Sequence, residues 1–431
     1  MSEGAAPEHP RIEAGARIAG MDPEELVRAH GSPLFVYDLD VVTARVSALR
    51  AALPERAELA FAVKSNPNPA LLAHLAGLGV GADIASGGEL DAVTRAGFDL
   101  RSVVFTGPGK TDAELARAAR SGLRAITVES LEELDVLIEL APVAAPRQGI
   151  LLRLAIEGAG IGAEAHPIIG GPGAGKFGLV PDEVDAAVDR LLLAGAIGGP
   201  GSPYELLGLH AFGASNVLDA TRIVENVRSL AARAEAFATR HGLHLRTVDA
   251  GGGLGIPYVD DEAPLDLDLL RDGLARETAT WADRTGLSET RLLFEPGRFL
   301  AGPAGAYLMR VVRTKERSGR TIAVTDGGIH HLLRPALIGR AQRTLIVGAG
   351  AGRPADGVTD IVGPLCTGLD VLATEVPMPA PRTGDLLAVV DAGAYGFTES
   401  MPLFLSHPIP AEVAVRGGRV VAARPRVAPR S

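Results

Sequence analysis

Short apolar segments alternate with helical patterns through the first two thirds of the chain, and this alternation constrains the fold more than any other feature. The segments that resemble strands are Leu59–Val63, Ala82–Ala85, Val103–Thr106, Ala125–Val128, Ile150–Ala155, Leu206–Ala211, Leu245–Ala250 and Leu292–Glu295. Most are followed by a helical pattern, as at Pro69–Leu78 and Ser130–Leu140. About eight strand–helix units over roughly 240 residues predict an α/β fold, a TIM-like (β/α)8 barrel, with an open doubly wound sheet as the alternative.

The pattern changes after Arg298, where strand-like runs follow one another with few long helices between them. The runs that carry this change are Leu308–Val312, Thr321–Thr325, Thr344–Val347, Leu386–Val390, Glu412–Val415 and Val420–Ala423. They predict a β domain of roughly 130 residues. We therefore expect a barrel domain over residues 38–298 and a β domain over 299–431. Residues from 1–37, which include the strand-like Leu34–Tyr37, are expected to complete the β domain.

Composition limits the class of protein. The chain has 431 residues, of which 47% are hydrophobic and 22% charged, as in an ordinary globular protein. The formal net charge of −10 argues against nucleic acid as a partner. No apolar run approaches the ~18 residues of a membrane span, and the single cysteine allows no intrachain disulfide, so we expect a cytoplasmic protein. The stretch 157–175, rich in Gly, Ala and Pro, predicts a mobile loop or lid.

A lysine follows the first predicted barrel strand. Lys64 ends the apolar run Leu59–Val63, and Pro67-Asn68-Pro69 then predicts a turn. Burial and neighbouring cations lower the pKa of a lysine, and the neutral amine is a nucleophile that forms Schiff bases. We therefore expect a buried, reactive amine at this strand end. A lysine that lies along apolar surface with its head in water is the alternative.

Further groups suit an anionic ligand with an aromatic ring. The glycines Gly251–Gly253 would let backbone N–H groups approach a phosphate, although a plain turn could need the same residues. Glu295 could hold a protonated ring nitrogen and Arg298 a phosphate, with a surface salt bridge as the alternative. Tyr395, between small residues, suits a phosphate oxygen unless it is a core tyrosine. His210, Gly251 and Glu295 lie at the carboxyl ends of predicted strands, where a barrel places its active site.

A series of short motifs resembles, in order and spacing, those of a known family. They are Phe-Ala-Val-Lys64-Ser-Asn, Gly81-Ala-Asp83-Ile-Ala-Ser86, Arg153, Lys176-Phe177-Gly178, Gly208-Leu-His210-Ala-Phe212-Gly-Ala-Ser215, Gly251-Gly-Gly253, Glu295-Pro-Gly-Arg298, Asp326-Gly-Gly328, Gly363-Pro-Leu-Cys366 and Gly393-Ala-Tyr395-Gly396. With these motifs the chain resembles the fold-type III pyridoxal-phosphate decarboxylases, which include diaminopimelate and ornithine decarboxylases. The resemblance extends from about Pro33 to about Val415.

The resemblance implies an amino-acid decarboxylase that uses pyridoxal 5′-phosphate and no metal. It assigns covalent attachment of the cofactor to Lys64, pairing with the ring nitrogen to Glu295, and proton delivery near Cα to Cys366. Because Cys366 would come from a second subunit, the resemblance also implies an obligate homodimer with shared active sites. Further cofactor contacts are implied for Asp83, Arg153, His210, Phe212, Ser215, Gly251, Gly252, Gly253, Gly297, Arg298 and Tyr395.

Three positions depart from diaminopimelate decarboxylases and argue against meso-diaminopimelate as the substrate. Phe212 stands where those enzymes carry a second histidine, and Thr367 follows Cys366 where they carry a glutamate that reads the distal ammonium. Ile338 replaces a tyrosine, although Arg334 of the same segment is kept. Without the glutamate, a distal ammonium would be left unpaired, which is costly to binding. We expect Arg334, Cys366 and Thr367 to contact the substrate.

A closer resemblance is to decarboxylases of amino acids tethered to an acyl carrier protein, such as the glutamyl-carrier-protein decarboxylase of butirosin assembly. The shared segments are Leu209–Leu218, Gly253–Tyr258, Asp326–His331 and Gly363–Asp370. This resemblance implies a glutamyl, aspartyl or methylaspartyl thioester as substrate, natural-product biosynthesis as the setting and an acyl carrier protein as a candidate partner. Arg334 departs from this subgroup and leaves open a substrate with an extra free carboxylate.

Docking of an acidic carrier would need a basic patch. The segment from Arg310 to Arg320 is the densest in basic residues, and a hairpin with a solvated face is the alternative. His330 and His331 are expected to be solvated loop histidines, or else to line the entrance.

Other functions share the fold. One is decarboxylation of a free diamino acid such as meso-diaminopimelate. An alanine-racemase-like isomerase would share the barrel, the β domain and the cofactor, but it would need a tyrosine base where this chain offers Cys366. A non-catalytic cofactor-binding barrel protein would lack the β domain.

Overall fold

A computed structural model describes residues 17–141, 147–155, 175–199 and 201–428 of the chain. The chain divides into two compact units. The barrel unit comprises residues 47–255 and 264–297, and the sheet unit comprises the chain up to residue 46, residues 256–263 and the chain from residue 298. The first elements are α1 (Pro23–His30), β1 (Leu34–Asp38) and α2 (Leu39–Ala52).

Eight parallel strands of the barrel unit pair in chain order and close on themselves. They are β2 (Ala57–Ala62), β3 (Gly81–Ile84), β4 (Val103–Phe105), β5 (Ala125–Val128), β6 (Gln148–Arg153), β7 (Tyr204–His210), β8 (Thr247–Asp249) and β9 (Arg291–Phe294). The barrel closes through the pairing of β2 with β9. The prediction of a TIM-like barrel is confirmed, and the open doubly wound sheet is excluded. Each predicted barrel strand lies within two residues of its observed bounds.

Burial on both faces explains the composition of these strands. Helices cover the outside of a (β/α)8 barrel and packed side chains fill the inside, so its strands are almost continuously apolar. Every residue of β3, β5 and β6 is buried. One cluster of buried side chains joins five of the strands through Ala60, Val104, Ala125, Leu151 and Leu293. A buried leucine contributes roughly 1.5–3 kcal/mol through removal of its apolar surface from water.

Polar residues start the helices that follow the strands. The helices of this part of the chain are α3 (Pro69–Gly77), α4 (Gly87–Ala96), α5 (Asp112–Ser121), α6 (Leu131–Leu140), α7 (Pro181–Leu193), α8 (Ala220–His241) and α9 (Leu267–Ala279). The Asn68 side chain accepts backbone N–H groups at the start of α3, and Pro69 occupies its first position. Ser86 and Ser130 cap α4 and α6. These caps fix where the helices begin. The short segment before α3 carries the predicted site residue Lys64.

The sheet unit contains a nine-stranded sheet. Its remaining elements are α10 (Arg298–Ala301), β10 (Gly305–Arg317), β11 (Arg320–Thr325), α11 (Arg334–Ile338), β12 (Thr344–Val347), β13 (Gly357–Val362), β14 (Val371–Met378), β15 (Leu386–Val389), β16 (Ala411–Arg416) and β17 (Arg419–Arg424). The strand order is β14-β13-β11-β10-β1-β16-β17, and β15 pairs with β10 and β12. The expected second, β-rich domain is therefore confirmed.

Alternate side chains of the central strands enter two separate cores. Phe35 and Tyr37 of β1 belong to one cluster of buried residues, and Leu34 and Val36 belong to the other. Strands β10 and β15 divide their side chains between the same two clusters. Because both faces of these strands are covered, their sequences are continuously apolar and were recognisable as strands.

Two strands of this sheet, β13 and β14, were not predicted. Only alternate residues of β13 are buried, and its sequence carries Asp360 among apolar residues. Strand β14 ends the sheet, contains Pro377 and exposes Thr374 and Glu375. Edge strands tolerate proline and charge because one side of the backbone pairs with no neighbour. The weak apolar pattern of β14 follows from that position, and that of β13 follows from the burial of alternate residues only.

The observed units differ from the predicted domain limits at residues 38–46, 256–263 and 298. We keep 38–298 and 299–431 as the proposed limits of the two domains. Of the predicted mobile loop 157–175, residues 157–174 lie outside the described residues. Within the described ranges, every helix falls short of the length and apolar character needed to cross a membrane.

Candidate active site

Predicted site residues of the barrel unit lie at, or just after, the carboxyl ends of its strands. Lys64 follows β2, and Asp83 lies in β3. Arg153 and His210 end β6 and β7, and Glu295 directly follows β9. This end of a (β/α)8 barrel carries the active site in barrel enzymes. The fold therefore brings residues that are far apart in sequence to one end of the barrel.

The amine of Lys64 forms an ion pair with Asp83. Ala62 and Asp83 are register partners in β2 and β3, and the turn after β2 carries Lys64. Its Nζ lies 2.6 Å from Oδ2 of Asp83. Burial raises the pKa of Asp83 and the charge of Glu295 adds to the effect, whereas Lys64 opposes it. The expectation of a buried amine is wrong, because the Lys64 side chain is 47% exposed. A ligand can therefore reach it.

Three buried ionisable side chains meet at the ends of β7, β8 and β9. The ligand atoms of His210, Asp249 and Glu295 lie within 4.8 Å of one another, and Nε2 of His210 lies 3.5 Å from Oε2 of Glu295. Burial alone would raise the pKa of Glu295, but the interactions with His210 and Lys64 outweigh it and lower this pKa to about 2. Burial and the charge of Glu295 raise the pKa of Asp249 well above its usual value. Glu295 thus carries the negative charge, and Asp249 takes a proton more readily.

The loops after β7 and β8 join to form a backbone cradle. The N–H of Val217 donates to the carbonyl oxygen of Gly253 at 2.8 Å. Gly251 and Gly253 have φ angles of +64° and +101°, in the region that favours glycine. A Cβ on Gly253 would lie 2.5 Å from the carbonyl oxygen of Ala214. Ser215 follows Ala214 in the β7 loop, so this predicted residue lies beside the predicted glycines.

Phe212 lies against the same glycines. A Cβ on Gly251 would lie 3.1 Å from Cδ2 of Phe212, and a Cβ on Gly252 would lie 2.6 Å from the carbonyl oxygen of Glu295. The three glycines are therefore required by close packing of the β7, β8 and β9 ends. A cavity of about 20 Å³ beside the cradle is lined in part by two residues of α8 that the sequence did not single out, Arg222 and Asn226.

Gly297 and Arg153 also lie close to the strand ends. A Cβ on Gly297 would lie 2.8 Å from the side chain of Ser65, so Gly297 packs on the turn that carries Lys64. Arg153 is the register partner of His210, and its Nη1 donates to Oε1 of Glu129 at 2.8 Å. This buried ion pair holds Arg153 at the carboxyl end of β6.

In the sheet unit, Arg298 contacts two tyrosines. Its Nη1 donates to the hydroxyl oxygen of Tyr258 at 2.6 Å, and its Cζ lies 4.6 Å from the ring centroid of Tyr395. A Cβ on Gly393 would lie 1.9 Å from the carbonyl oxygen of Ala301, which explains the glycine at the start of the Tyr395 turn. The predicted phosphate ligands Arg298 and Tyr395 therefore lie together.

Arg334 is buried and stacks on the same Tyr258. Only 8% of Arg334 is exposed, and its Cζ lies 3.4 Å from the ring centroid of Tyr258. Burial lowers the pKa of the guanidinium. Its Nη1 has no hydrogen-bond partner among the described residues. The charges of Glu262 and Glu399 act on this guanidinium without pairing with Nη1, so one donor remains for an anionic group.

Cys366 is exposed on a turn that Asp370 holds in place. Oδ2 of Asp370 accepts the N–H of Leu365 at 2.7 Å, and Oδ1 accepts the N–H of Ile329 at 2.8 Å. Thr367 follows Cys366 on the same turn. These two hydrogen bonds fix the backbone next to Cys366.

His330 and His331 are buried, so the expectation of solvated loop histidines is wrong. Their ring centroids lie 3.7 Å apart, and His331 Nδ1 lies 2.9 Å from the hydroxyl of Tyr307. Burial lowers the pKa of His330 to about 4 and that of His331 to about 2. Both rings are therefore neutral at pH 7 and belong to the interior of the sheet unit.

The residues of the barrel unit fit pyridoxal phosphate. Glu295 is an ionised carboxylate whose buried Oε1 has no hydrogen-bond partner in the described part of the chain, and a protonated ring nitrogen would supply one. The glycine cradle suits a phosphate, and the amine of Lys64 is accessible. His210, Asp249 and Glu295 also form a set that a metal ion could accept, so the expectation of no metal stays a prediction.

Several residues of the site were missed in the sequence. Asp249 lies two residues before the first glycine of the triplet, and its position at the end of an apolar strand was the available signal. Glu129 likewise follows β5, but no motif marked it as the partner of Arg153. Tyr258 and Asp370 stood inside quoted motifs without a role. Their contacts are long-range and depend on the tertiary structure.

Comparison with known proteins supports the resemblance. A family model described as "Pyridoxal-dependent decarboxylase, pyridoxal binding domain" matches residues 39–302. The diaminopimelate decarboxylase of Aquifex aeolicus is 34% identical over 95% of this chain and 92% of that protein. The L-glutamyl-[BtrI acyl-carrier protein] decarboxylase of Niallia circulans is 30% identical over 91% of each chain.

Solved structures agree with the observed fold. The diaminopimelate decarboxylase from Helicobacter pylori, complexed with L-lysine, has a TM-score of 0.81 and 27% sequence identity, and the match covers 94% of this chain and 96% of that chain. Most of the similar curated proteins carry the name diaminopimelate decarboxylase. The wider family is thereby confirmed, whereas the carrier-protein subgroup is not.

Proposed function

The chain belongs to the pyridoxal-dependent decarboxylases, and on that premise we propose that it decarboxylates a free diamino acid with a second carboxylate, such as meso-diaminopimelate. The premise makes it a pyridoxal-phosphate-dependent lyase that acts on amino acids. The named relatives support this substrate better than the carrier-tethered acid that Phe212 and Thr367 predict. The alternative from the sequence thus becomes the first candidate.

The observation that carries the proposal is the environment of Arg334. This buried guanidinium stacks on Tyr258 and keeps Nη1 unpaired within the described structure. A carboxylate binds a guanidinium through charge-assisted hydrogen bonds and would satisfy that donor. A thioester, which has no charge at the same position, would leave the donor unpaired. A substrate with a free distal carboxylate is therefore favoured.

Residues of the barrel unit have separate proposed roles at the reacting end of the substrate. Pyridoxal phosphate, when bound, supplies the electron sink for the pair left on Cα after loss of CO2. We assign its covalent attachment to Nζ of Lys64 and its ring nitrogen to Glu295. Asp83 holds Nζ at 2.6 Å and so orients the amine. Asp249 accepts the N–H of Gly251 at 2.9 Å, which ties the glycine cradle to the carboxylate cluster.

The remaining cofactor contacts are proposals that rest on the membership in the family. Gly251, Gly252, Gly253 and Ser215 are proposed to bind the phosphate through their loop, and Arg298 and Tyr395 through their side chains. His210 and Phe212 are proposed to lie against the ring, and Arg153 and Gly297 to support this arrangement.

Cys366 is proposed to deliver a proton to Cα. Its thiol is exposed on the turn held by Asp370, so Sγ–H is accessible to a ligand. We propose that it acts across the interface of a homodimer, in which each active site combines residues of two subunits. The Sγ proton moves to Cα, and solvent restores it after product release.

The experiment that tests the function is CO2 release from the purified enzyme with pyridoxal phosphate and meso-diaminopimelate, ornithine, lysine or glutamate. We expect CO2 and the decarboxylated product from meso-diaminopimelate, and at least about 100-fold less from the other three, because they lack one of the distal groups. Lys64→Ala serves as the inactive control. Equal rates with ornithine would contradict a role for the distal carboxylate.

A second candidate is decarboxylation of an acidic amino acid tethered to an acyl carrier protein. Thr367 in place of a glutamate favours it, as does the similarity to the carrier-protein decarboxylase of Niallia circulans. The hairpin of β10 and β11 exposes Arg313, Lys315 and Arg317, which an acidic carrier could contact. Glutamyl-, aspartyl- and methylaspartyl-carrier protein therefore belong in the same assay. Product formed only on a carrier would replace the first candidate.

A further inference from the structure

Tyr258 is a buried tyrosine in a short segment of the sheet unit, residues 256–263. It is 4% exposed. Its backbone N–H donates to Oε2 of Glu262 at 2.8 Å, and its carbonyl oxygen accepts the N–H of Arg343 at 3.2 Å. Because both backbone groups are paired, the ring and the hydroxyl of Tyr258 are held in a defined position.

Two arginines use different parts of this side chain. Arg298 donates from Nη1 to the hydroxyl oxygen at 2.6 Å. Arg334 places its guanidinium over the ring face, with Cζ 3.4 Å from the centroid. The hydroxyl contact is a charge-assisted hydrogen bond, and the face contact is a cation–π interaction strengthened by burial. Loss of one contact therefore need not remove the other.

The two guanidinium groups are also close enough to affect each other. Burial lowers the pKa of Arg334 and the charge of Arg298 lowers it further, against the effects of Tyr258, Glu262 and Glu399. Like charges near each other repel, and opposite charges or hydrogen-bond acceptors nearby reduce this cost. Tyr258 supplies a neutral contact to both arginines, and the charge of Glu399 acts on both.

We propose that Tyr258 is a positioning residue that holds the phosphate-binding arginine with its hydroxyl and the carboxylate-binding arginine with its ring. The inference rests on the proposed function, because it takes Arg298 as a phosphate ligand and Arg334 as a ligand of the distal carboxylate. It adds that Tyr258 influences both the affinity for the cofactor and the affinity for the substrate. A substitution of Tyr258 can therefore change one affinity without the other.

The test uses two variants of the full-length protein, Tyr258→Phe and Tyr258→Met. Tyr258→Phe keeps the ring and removes the hydroxyl. We expect it to raise the Kd of pyridoxal phosphate about tenfold, as loss of a hydrogen bond to a charged group does. At saturating cofactor we expect its KM for meso-diaminopimelate to change by less than about threefold, since the ring face remains.

Tyr258→Met removes both contacts while keeping an apolar side chain. We expect it to raise the Kd of the cofactor to the same extent, and to raise the KM of meso-diaminopimelate at least about tenfold. Cofactor Kd is measured by titrating the apoprotein with pyridoxal phosphate and following absorbance, which requires no turnover. Thermal unfolding establishes that each variant is folded.

The matched control is Tyr204→Phe, which deletes another buried tyrosine hydroxyl. The Tyr204 hydroxyl donates to the carbonyl oxygen of Leu137 at 2.6 Å, and Tyr204 begins β7, whereas His210 ends it. We expect this variant to keep the wild-type Kd and KM. A similar loss in the control would mean that the Tyr258 effects are structural.

The inference is overturned if Tyr258→Phe binds pyridoxal phosphate as tightly as wild type, or if it raises KM as much as Tyr258→Met does. If Tyr258→Met fails to fold, the test rests on Tyr258→Phe. This variant must raise the Kd of pyridoxal phosphate while the KM of meso-diaminopimelate stays near the wild-type value. If the wild-type enzyme releases no CO2 from meso-diaminopimelate, the proposed substrate fails. The cofactor titration of Tyr258→Phe still decides whether the hydroxyl holds the phosphate-binding arginine.

Discussion

The chemistry of the site depends on how two buried carboxyl groups differ. Glu295 and Asp249 belong to one cluster and are buried alike, yet their pKa values move in opposite directions. Glu295 lies next to His210 and within the field of Lys64, whereas the strongest charge felt by Asp249 is Glu295 itself. A neighbouring group of opposite charge favours the ionised form, and a like charge disfavours it. The cluster therefore keeps one negative charge at the carboxyl end of β9.

Glu295→Gln tests that charge. Glutamine has a similar shape but cannot stabilise a protonated ring nitrogen by charge, so we expect kcat to fall at least about 100-fold. Steady-state kinetics at saturating cofactor measures the effect. Glu205→Gln is the matched control, because Glu205 pairs with Arg246 at 2.7 Å near the other end of β7. Retention of more than half of the activity by Glu295→Gln would rule out the assigned role.

Asp391 provides a separate prediction about pH. It is 7% exposed with a φ of +57°, and burial raises its pKa to about 6 against the effect of Arg343. A carboxyl group with a raised pKa in the folded state stabilises the fold below its unfolded pKa, and this contribution is lost as pH rises through 6. Asp391→Asn, which suits a positive φ, should gain about 1 kcal/mol of stability relative to wild type between pH 5 and pH 7.

Urea denaturation at the two pH values, at matched protein concentration, measures this difference. The exposed Asp283→Asn variant is the control and should follow wild type at both pH values. A constant difference between Asp391→Asn and wild type would show that Asp391 does not take up a proton in this range.

At the scale of elements, the glycine cradle depends on two loops meeting. The loop after β7 reaches the loop after β8 through the bond between Val217 and Gly253, and the two also form a bridge between Val217 and Leu254. Neither loop can move away without losing these backbone contacts. The phosphate is thus proposed to bind a preformed backbone surface, which costs little ordering entropy on binding.

Gly253→Ala should damage this surface. Its Cβ would lie 2.5 Å from the carbonyl oxygen of Ala214, and the φ of +101° is strained for alanine. We expect the Kd of pyridoxal phosphate to rise at least about tenfold, because the loops must separate. Gly242→Ala is the control, since Gly242 has a φ of +63° and nothing within 4 Å of an added Cβ. It should lower stability by about 1 kcal/mol without changing cofactor affinity.

At the scale of the whole molecule, the proposed active site needs two subunits. Lys64 belongs to the barrel unit and Cys366 to the sheet unit, and we propose that a site takes them from different copies of the chain. A closed homodimer with twofold symmetry then has two equivalent sites. Each site fails if either contribution is missing.

Mixed variants test this arrangement. Lys64→Ala and Cys366→Ala should each be inactive alone. After subunit exchange of an equal mixture, half of the dimers carry one intact site of two, so roughly a quarter of wild-type activity should return. Activity and the mass of the mixed dimer are measured together. Verified mixed dimers without recovered activity would place both residues of a site in one subunit.

Apolar runs located the barrel strands because burial on both faces makes such strands continuously apolar. The same reasoning failed for β13 and β14, whose patterns depend on a position near the sheet edge. Lys64, His210 and Glu295 were found because each lies at the end of an apolar run, and a barrel brings the carboxyl ends of its strands together. Their chemistry came largely from the resemblance, which rested on the order of many short motifs.

The sequence by itself determined the architecture, the family and most of the residues at the strand ends, because local hydrophobic pattern and motif order are written along the chain. Only the tertiary structure decided that Lys64 is accessible, that Asp249 shares the cluster of Glu295, and that Arg334 is buried on Tyr258. These properties depend on burial and on charges brought together from distant positions. Electrostatic effects of that kind follow distance in space, which spacing along the chain does not specify.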